Sequence, residues 1–451
     1  MKVFLSMIAA LVVVGVLAVL ALIFWPLERT TADQLALADD VMAWPDLAEN
    51  ERPRAAAIAA DCVACHSTDD GAEYAGRRAF PTPMGTIYSS NITPDPETGI
   101  GNYTLDQFRA ALVDGVDARG GQLYPAMPYT NYRSMSERDI RAIYSYFMNE
   151  VDPVRAPDKA AEMTFPFNLR FGVRAWKWLA MPDPGFNAPD DAILARGAYL
   201  VEGPEHCGDC HTPRNMLYIQ DGYTASDERF MSGGDLQGWS VPSLRGDDGA
   251  PAKWSAAALT AYLATGRNAH SATGGEMTGV VGHSLQHLPA SDLEAIVAYL
   301  RHLAPNGGGD DDAPEPADRT RASEIWLAAS EGGTAEILAS ADPDALSEGG
   351  RLYLDNCSAC HMIDGKGGDS VFPKLDGNSA VTAASPKGLV STILNGARLP
   401  STKGAPLCLA MPGFADRLSD VEVAELASFV RGAWSNKAGD VTAEDVGNLR
   451  N

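Results

Sequence analysis

One short pattern occurs three times in this chain: two cysteines separated by two residues and followed directly by a histidine. The copies span residues 62–66, 207–211 and 357–361. Two thiols at this spacing can add to the two vinyl groups of one haem, and the adjacent histidine can then ligate the iron from one face. The pattern therefore predicts three haem c groups. The predicted attachment residues are Cys62, Cys65, Cys207, Cys210, Cys357 and Cys360, and the predicted first iron ligands are His66, His211 and His361.

A single copy of the pattern would also fit a redox-active dithiol or half of a zinc site. The first cysteines of successive copies lie 145 and 150 residues apart. These intervals are long for shared zinc ligands but suit one small domain per copy. Only Cys408 lies outside the three copies, so almost no thiol remains for disulfides. Both the number and the spacing of the copies favour haem attachment.

The composition limits the partners of the chain. It has 451 residues, of which 45% are hydrophobic, enough for about two to four globular domains. The formal net charge is −24. Nucleic acid is excluded as a partner, because phosphate binding needs basic patches that this composition lacks.

The N-terminus predicts a membrane anchor. Residues 3–27 form an uncharged run of 25 residues, long enough to span a bilayer. A cleavable signal usually has a shorter apolar region followed by small residues, whereas residues 24–27 read Phe-Trp-Pro-Leu. We expect an uncleaved transmembrane helix in residues 1–28, with a cleaved signal as the alternative. In both cases the rest of the chain would be exported, with its haem domains in the periplasm beside the bacterial inner membrane.

The same order of features follows each copy of the cysteine pattern: a short helical stretch that ends on glycine, then a methionine, then a serine with an acidic residue three positions later. Such a serine and acidic residue form a capping box that opens a helix, and each is followed by apolar residues at helical spacing. This repetition predicts three copies of one domain. The glycines are Gly115, Gly266 and Gly396, the methionines are Met127, Met277 and Met411, and the serines are Ser136, Ser291 and Ser419.

We therefore predict a mainly α fold, with three tandem class I cytochrome c-like domains after the N-terminal transmembrane helix. The predicted boundaries are 29–155 for the first domain, 156–190 for a connector rich in proline and aromatic residues, 191–305 for the second domain, 306–345 for an acidic Gly/Asp linker, 346–436 for the third domain and 437–451 for a polar tail. Residues 80–101 are predicted to form an irregular loop, because they are rich in Pro, Gly and Asn. The aromatic connector is expected to pack against a domain or a partner subunit, since a flexible linker would be polar.

The second axial ligand decides what each haem can do. Histidine with methionine gives a closed, six-coordinate iron suited to electron transfer, whereas an open iron invites ligand binding or peroxide chemistry. Met127, Met277 and Met411 hold corresponding positions after the three glycines and are the predicted sixth ligands. For the second haem the alternatives are three nearby nitrogen ligands: His270, His283 and His287. Cys408 is predicted to be a buried small residue, although it lies only three residues before Met411.

With these residues identified, the sequence resembles the tri-haem cytochrome c subunits of bacterial membrane-bound dehydrogenases that oxidise alcohols, sugars, sugar acids or aldehydes in the periplasm. The resemblance covers nearly the whole chain beyond residue 28. The stretches that carry it most specifically are 90–101 (SNITPDPETGIG), 123–129 (LYPAMPY), 210–215 (CHTPRN), and Met-Pro at 411–412 followed by Leu-Ser-Asp at 418–420.

The resemblance implies histidine and methionine ligation of each haem. It also implies a separate catalytic dehydrogenase subunit of flavin, PQQ or molybdenum type, with ubiquinone or a terminal oxidase as the electron acceptor. One departure from many relatives is the N-terminal anchor, because those relatives carry a cleavable signal.

The leading functional prediction is an electron-transfer subunit of an oxidoreductase complex, and we predict no substrate-converting residue. Two alternatives are a cytochrome subunit of a terminal oxidase-type complex and a haem enzyme such as a peroxidase, which would need an open iron. Four polar residues near the first motif are candidates either for contacts with haem propionates or for anchoring loops: Arg77, Arg78, Asn91 and Arg133.

Overall fold

The computed structural model describes residues 27–37, 44, 47–236, 239–247, 249–304, 333–340, 346–368, 371–407 and 409–450, with scattered positions between 4 and 20. The chain forms two compact units. The first comprises Met1–Asp209 with Arg214–Asp227, and the second comprises Cys210–Pro213 with Glu228–Asn451. The described residues are mainly helical, as predicted.

The first unit is built from helices with one small sheet. Its α-helices are α1 (Arg52–Ala59), α2 (Cys62–His66), α3 (Leu105–Asp114), α4 (Tyr129–Tyr132), α5 (Glu137–Asn149), α6 (Gly172–Ala180) and α7 (Ala192–Glu202), with a 3₁₀ turn at Asp33–Leu35; the next turn along the chain is α8 (Gly208–His211). Two of the predicted helix ends are confirmed: α3 ends on Gly115 with φ of 60°, and Ser136 caps α5 through a hydrogen bond from the amide of Asp139.

The prediction of an irregular loop over residues 80–101 is wrong for its first part. Strands β1 (Ala79–Thr82) and β2 (Gly85–Tyr88) form an antiparallel hairpin, and β3 (Glu162–Met163) adds to the free edge of β2. Pro81 is compatible with this sheet because β1 is an edge strand, where a missing amide proton costs no ladder hydrogen bond on the outer side.

The core of the first unit lies between α1 and α5. The two helices contact each other, and each contributes buried apolar residues: Ala56 and Ala57 from α1, and Ile140, Ile143 and Phe147 from α5. Burying such side chains stabilises the unit by about 1.5–3 kcal/mol for each large one.

A buried polar network crosses this core. The Asp139 carboxylate, 1% exposed, accepts hydrogen bonds from Tyr199 Oη at 2.7 Å, from Arg52 Nε at 3.3 Å and from Trp44 Nε1 at 3.3 Å. Tyr199 belongs to α7, so the network ties the first helix of the predicted second domain to the first unit. The acidic residue of the predicted capping box therefore serves tertiary packing.

The predicted connector 156–190 packs onto the first unit, as expected of an aromatic-rich segment. It supplies β3 and α6, and Lys177 of α6 reaches the end of α3. The Lys177 ammonium donates to the backbone oxygens of Asp114 at 2.6 Å and Gly115 at 2.7 Å, and to Gln122 Oε1 at 3.0 Å. These carbonyls lie at the C-terminus of α3, where no helical amide is available to them, so Lys177 acts as a tertiary cap.

The second unit contains two further groups of helices. Its helices are α9 (Ala250–Lys253), α10 (Ala256–Thr265), α11 (Met277–His283), α12 (Ala290–His302), α13 (Thr334–Ser340), α14 (Glu348–Asn356), α15 (Ser358–His361), α16 (Lys387–Asn395), α17 (Asp420–Gly432) and α18 (Ala443–Gly447), with a 3₁₀ turn at Leu285–His287. The strands pair as two hairpins, β4 (Gly234–Leu236) with β5 (Trp239–Val241) and β6 (Ala397–Arg398) with β7 (Ala410–Met411).

The capping-box predictions in this unit have different outcomes. Ser419 and Glu422 form a reciprocal box at the start of α17, as predicted. The box at Ser291 is wrong, because α12 begins at Ala290 and its N-cap is Pro289. Pro289 is extended, with φ of −56° and ψ of 148°, so the helix begins two residues earlier than it would with Ser291 as its N-cap.

The last 100 residues share one hydrophobic cluster. Helices α14 and α17 pack against each other, as α1 and α5 do in the first unit. The cluster contains Tyr353, Val390 and Val423, each fully buried, and half-buried side chains that pack against it include Cys357 and Met411. The structure therefore brings a cysteine and a methionine of the predicted third haem site to the same core.

Several sequence predictions fall on positions outside the described residues. These are most of the predicted anchor 1–28, including Trp25, much of the linker 306–345, and Cys408. Among the residues that are described, no helix is long and apolar enough to cross a membrane. The described positions between 4 and 20 are helical and exposed.

Candidate functional site

The histidine of each motif ends a short helical turn, α2, α8 or α15. The first motif lies entirely in α2, whereas Cys207 and Cys357 directly precede α8 and α15. In a helix, residues three apart face the same side, so Cys62 and Cys65 can both approach one edge of a planar ring. Of the second motif, Cys207 belongs to the first unit, and Cys210 and His211 belong to the second.

The three motif histidines have the same hydrogen bond. The Nδ1 atom lies 2.7 Å from the Ser90 oxygen for His66, 2.9 Å from the Pro242 oxygen for His211 and 2.8 Å from the Pro373 oxygen for His361. A carbonyl oxygen can only accept, so Nδ1 carries the proton in all three. The lone pair then lies on Nε2, the nitrogen that ligates iron when the other ring nitrogen is bonded in this way.

A glycine with positive φ supports each of these hydrogen bonds. Gly76, Gly233 and Gly367 donate their amides to the backbone oxygens of His66, His211 and His361 at 2.7, 2.8 and 3.1 Å. Their φ angles are 74°, 86° and 62°.

These glycines also lie against the segments that accept from the histidines. A Cβ at residue 76 would lie 2.5 Å from the Ser90 oxygen, and one at residue 367 would lie 2.8 Å from the Pro373 oxygen. A Cβ at residue 233 would lie 3.3 Å from the Pro242 carbonyl carbon. Only glycine allows this approach and this conformation together.

The surroundings keep the histidines neutral. Burial lowers the pKa of His66, His211 and His361 below the usual value, while the bonded carbonyl of Ser90, Pro242 or Pro373 raises it to a smaller extent. A metal ligand must be the neutral imidazole. The three imidazoles are therefore neutral and carry their proton on Nδ1, the state in which Nε2 can ligate iron.

The motif cysteines fit thioether formation better than thiol redox chemistry. All six are thiols and not disulfides. Burial raises the pKa of Cys62 and of Cys357 to about 12, with a further contribution from Asp61 for Cys62 and from Cys360 for Cys357. Reactive dithiols have a lowered thiol pKa. The donor set of two cysteine thiols and one neutral Nε2 in each motif fits haem c, and the six cysteines with His66, His211 and His361 would hold it.

Met127, the first predicted methionine ligand, follows the turn at the C-terminal end of α3. After Gly115, Val116 pairs with Gln122, and the chain then passes through half-buried Met127 into α4. Tyr132 of α4 donates its hydroxyl to the Ala60 oxygen at 2.7 Å, two residues before Cys62. One hydrogen bond therefore joins the helix that follows Met127 to the residues just before the first motif.

The second predicted methionine begins α11. Trp239 of β5 packs on the loop before it, where a Cβ at Gly275 would lie 2.9 Å from the indole ring. The same strand leads into Pro242, the residue that accepts from His211. Met277 is half-buried and follows this loop by two residues. Strand β5 therefore contacts the loop before Met277 and leads directly to Pro242, whose carbonyl accepts the hydrogen bond from His211.

The three histidines that are alternative ligands of the second haem have different surroundings. His270 stacks on Trp254, with ring centroids 5.2 Å apart and an angle of 14° between the planes. His283 and His287 are exposed.

The third predicted methionine lies in a strand. Met411 pairs with Ala397 in the β6–β7 hairpin, directly after Gly396. The three glycines that precede the methionines share positive φ values of 60°, 75° and 76° at residues 115, 266 and 396. In all three, the next residue forms an antiparallel pair: Val116 with Gln122, Arg267 with Ala272, and Ala397 with Met411.

The polar candidates near the first motif anchor loops. Asn91 is 3% exposed, and its side chain donates to the Val154 oxygen at 2.8 Å and accepts from Thr93. Arg78 donates to the Ala64 oxygen inside the first motif at 2.7 Å, Arg77 donates to the Pro157 oxygen and Arg133 to Asp114. These contacts support the loop-anchoring interpretation.

Sequence reasoning missed the carbonyl acceptors, their glycines and Lys177. The glycines carried a weak signal, because one follows each motif, but the intervals to the acceptors are 24, 31 and 12 residues. No fixed spacing could have identified them.

Comparison with known proteins agrees with these features. The family model described as cytochrome C oxidase, cbb3-type, subunit III matches residues 344–430, which include the third motif and Met411. The cytochrome c subunit of the quinone alcohol dehydrogenase of Gluconobacter oxydans is 40% identical over 86% of this chain and 80% of its own length.

Two further relatives have similar coverage. The gluconate 2-dehydrogenase cytochrome c subunit of Pantoea cypripedii is 40% identical over 87% of this chain and 88% of its own length. The fructose dehydrogenase cytochrome subunit of Gluconobacter japonicus is 36% identical over 87% of this chain and 81% of its own length. This chain therefore belongs to the family of cytochrome c subunits of alcohol, gluconate and fructose dehydrogenases.

Proposed function

We propose that the chain is a three-haem electron relay that accepts electrons from a catalytic dehydrogenase subunit and passes them to ubiquinone or a terminal oxidase. The proposed iron ligand pairs are His66 with Met127, His211 with Met277, and His361 with Met411. The proposed domains are those predicted above, with one haem in each of 29–155, 191–305 and 346–436.

A haem c held by histidine and methionine supplies reversible one-electron redox chemistry at a relatively high potential. The residues of this chain attach it, orient it and exclude water from its iron. Nδ1 donation to a fixed carbonyl holds the imidazole plane and raises the basicity of Nε2.

One observation carries the proposal: the hydrogen bond from histidine Nδ1 to a backbone carbonyl, supported by a glycine of positive φ, recurs at all three motifs. A chance Cys-x-x-Cys-His sequence would have no reason to present Nε2 three times in the same protonation state. The recurrence supports three haems of one kind.

The cbb3-type family model favours a second candidate, a cytochrome subunit of a terminal oxidase. That match covers only residues 344–430, whereas the dehydrogenase subunits align with 86–87% of the chain. The longer similarity supports the dehydrogenase complex. A peroxidase would need an iron with an open sixth position. The proposed methionine ligands would occupy that position at all three haems, which argues against a peroxidase.

The proposed location is the periplasmic side of the bacterial inner membrane, with residues 1–28 as the anchor. Partners would be the catalytic subunit, of flavin, PQQ or molybdenum type, and the membrane. Alkaline carbonate extraction of membranes tests the anchor, because only an integral protein stays in the pellet.

Covalent haem is tested directly by peptide mass spectrometry of the full-length chain purified with its natural partners. We expect three peptides, each carrying one haem, with the modified cysteines at 62 and 65, 207 and 210, and 357 and 360. A His361→Ala variant should keep its haem attached but lose the normal absorption of one haem in three. Purification with a copper and haem b membrane core in place of a dehydrogenase would overturn the proposed function.

A further inference from the structure

Helix α6 has an inverted arrangement of polar and apolar side chains. Its inward face carries Lys177, which is 2% exposed, and its outward face carries Trp178 and Leu179, which are 42% and 69% exposed. A helix on a water-facing surface normally presents polar residues outward. The outward face of α6 therefore suits a less polar environment than water.

The segment before α6 has the same character. Phe165, Phe167 and Phe171 are all exposed, between 49% and 78%. Together with Trp178 and Leu179 they form what we call the aromatic patch. Exposed large apolar side chains concentrated in one segment, here residues 165–179, indicate contact with a protein or a membrane.

The patch is held firmly in its exposed position. The Phe167 oxygen accepts from Tyr124 Oη at 3.0 Å, and Thr164 donates its amide to the Met84 oxygen at 2.8 Å. On the other side, Trp176 Nε1 donates to the Leu217 oxygen at 2.8 Å. These hydrogen bonds fix the backbone on both sides of the aromatic side chains, so that the patch is part of the fold.

The charge of this segment differs from that of the chain. Residues 164–182 contain Arg170, Arg174 and Lys177 and no acidic residue, although the whole chain carries a formal charge of −24. Arg170 is exposed and lies over the Tyr124 ring at 4.8 Å. An exposed arginine contributes about 1 kcal/mol near an anionic lipid surface, so Arg170 favours the approach of this segment to such a surface.

The end of the proposed anchor lies beside the same helix. Thr30 donates its amide and its hydroxyl to the Asp114 carboxylate at 3.0 and 2.6 Å. The backbone oxygen of Asp114 accepts from Lys177 of α6 at 2.6 Å. Residue 28 is two positions before Thr30, which is at most about 7 Å of chain. The membrane exit and α6 are therefore fixed to one point of the fold.

We propose that the aromatic patch inserts into the interface of an anionic phospholipid bilayer, next to the anchor, and so fixes the orientation of the first unit on the membrane. The proposal rests on the proposed anchor for its geometry. Aromatic and aliphatic side chains with basic neighbours bind in this way at the headgroup boundary. A chain held by residues 1–28 alone could rotate about its tether, whereas a second contact removes that freedom.

Photo-crosslinking in the full-length chain tests this contact. The photoreactive residue p-benzoylphenylalanine is placed at position 165 or 178, or at position 421 as control, where Val421 is 61% exposed in the second unit. The chain is purified with its partners and placed in vesicles of phosphatidylglycerol and phosphatidylcholine. We expect several-fold more lipid adduct at positions 165 and 178 than at 421, and a decrease when phosphatidylcholine is the only lipid.

Two results would overturn the proposal: lipid adducts no more frequent than at position 421, or adducts to the catalytic subunit, which would make the patch a protein interface. A carbonate-extractable chain or haems that substrate does not reduce would instead contradict the proposed function. Those results come from separate assays, so the two failures are distinguishable.

Discussion

Gly396 is the residue at which one methyl group should disturb one haem and leave the other two intact. It ends α16 with φ of 76° and ψ of −176°, a conformation that is essentially restricted to glycine. In Gly396→Ala, the new Cβ would meet the Met411 backbone oxygen and lie 2.8 Å from the Gly413 amide nitrogen. Both contacts are to backbone, so no side-chain rotation can relieve them.

The free-energy cost of Gly396→Ala can be estimated from these contacts. The backbone conformation alone costs a non-glycine residue about 1–3 kcal/mol. Relief of the overlap requires β6 and β7 to separate at the Ala397–Met411 pair, which moves Met411 itself. We expect a total of at least about 2 kcal/mol, roughly thirty-fold in the equilibrium between bound and displaced methionine.

The near-infrared charge-transfer band of methionine-ligated ferric haem measures the effect. Gly396→Ala should lose about one third of this band if three haems are ligated alike, and a redox titration should show one haem at lower potential, because methionine ligation raises the potential. Gly432→Ala is the matched control, since a Cβ there meets nothing within 4 Å. An unchanged band and unchanged potentials in Gly396→Ala would refute the assignment of Met411.

Three other substitutions test separate parts of the structure. Asp139→Ala removes a buried carboxylate with charged and neutral donors, and should lower the free energy of unfolding by about 3–5 kcal/mol in chemical denaturation; a loss below 1 kcal/mol, typical of exposed sites, would contradict the network. Lys177→Met removes a donor from the Asp114 carbonyl and one of the two donors from the Gly115 carbonyl, which keeps the Leu123 amide, and should cost about 1–3 kcal/mol in the same assay. Burial and neighbouring cations lower the pKa of Lys177 from 10.5 to about 7. Between pH 7 and 10.5 the unfolded chain therefore binds more protons than the folded chain, so the free energy of unfolding should rise with pH across that window. The rise should be less steep in Lys177→Met. Gly76→Ala should push the Ser90 carbonyl from His66 and raise the potential of one haem, because the lost hydrogen bond makes the ligand less basic; an unchanged potential would show that the glycine does not support the histidine.

The sequence was sufficient to predict features that depend on the type and spacing of side chains. The mainly helical fold, the glycine at the end of α3 and the capping box at Ser419 all follow from residue types at fixed spacing. The motif cysteines and histidines as haem residues, the domain boundaries, the methionine ligands and the number of haems remain predictions.

The sequence was not sufficient to predict features that depend on backbone groups and on the path of the chain. Every residue has a carbonyl, so nothing marks Ser90, Pro242 or Pro373 as the acceptor for a histidine. The β1–β2 hairpin was missed because proline and glycine indicate loops unless the strand is at an edge. Ser291 failed as a cap because the preceding proline already begins the helix, a choice that depends on the local chain path. Lys177 was invisible because its acceptors lie about 60 residues away in sequence and a lysine on a helix is usually exposed.

Reduction of the haems by substrate in the purified complex tests the central claim most directly. The complex is kept without oxygen, mixed with the substrate of its dehydrogenase subunit, and followed by haem absorption with the haem content of this chain known from mass spectrometry. The account predicts that three haem c groups per chain become reduced and that the ferric methionine band disappears completely. Fewer than three covalent haems, or haems that stay oxidised while substrate is consumed, would contradict it.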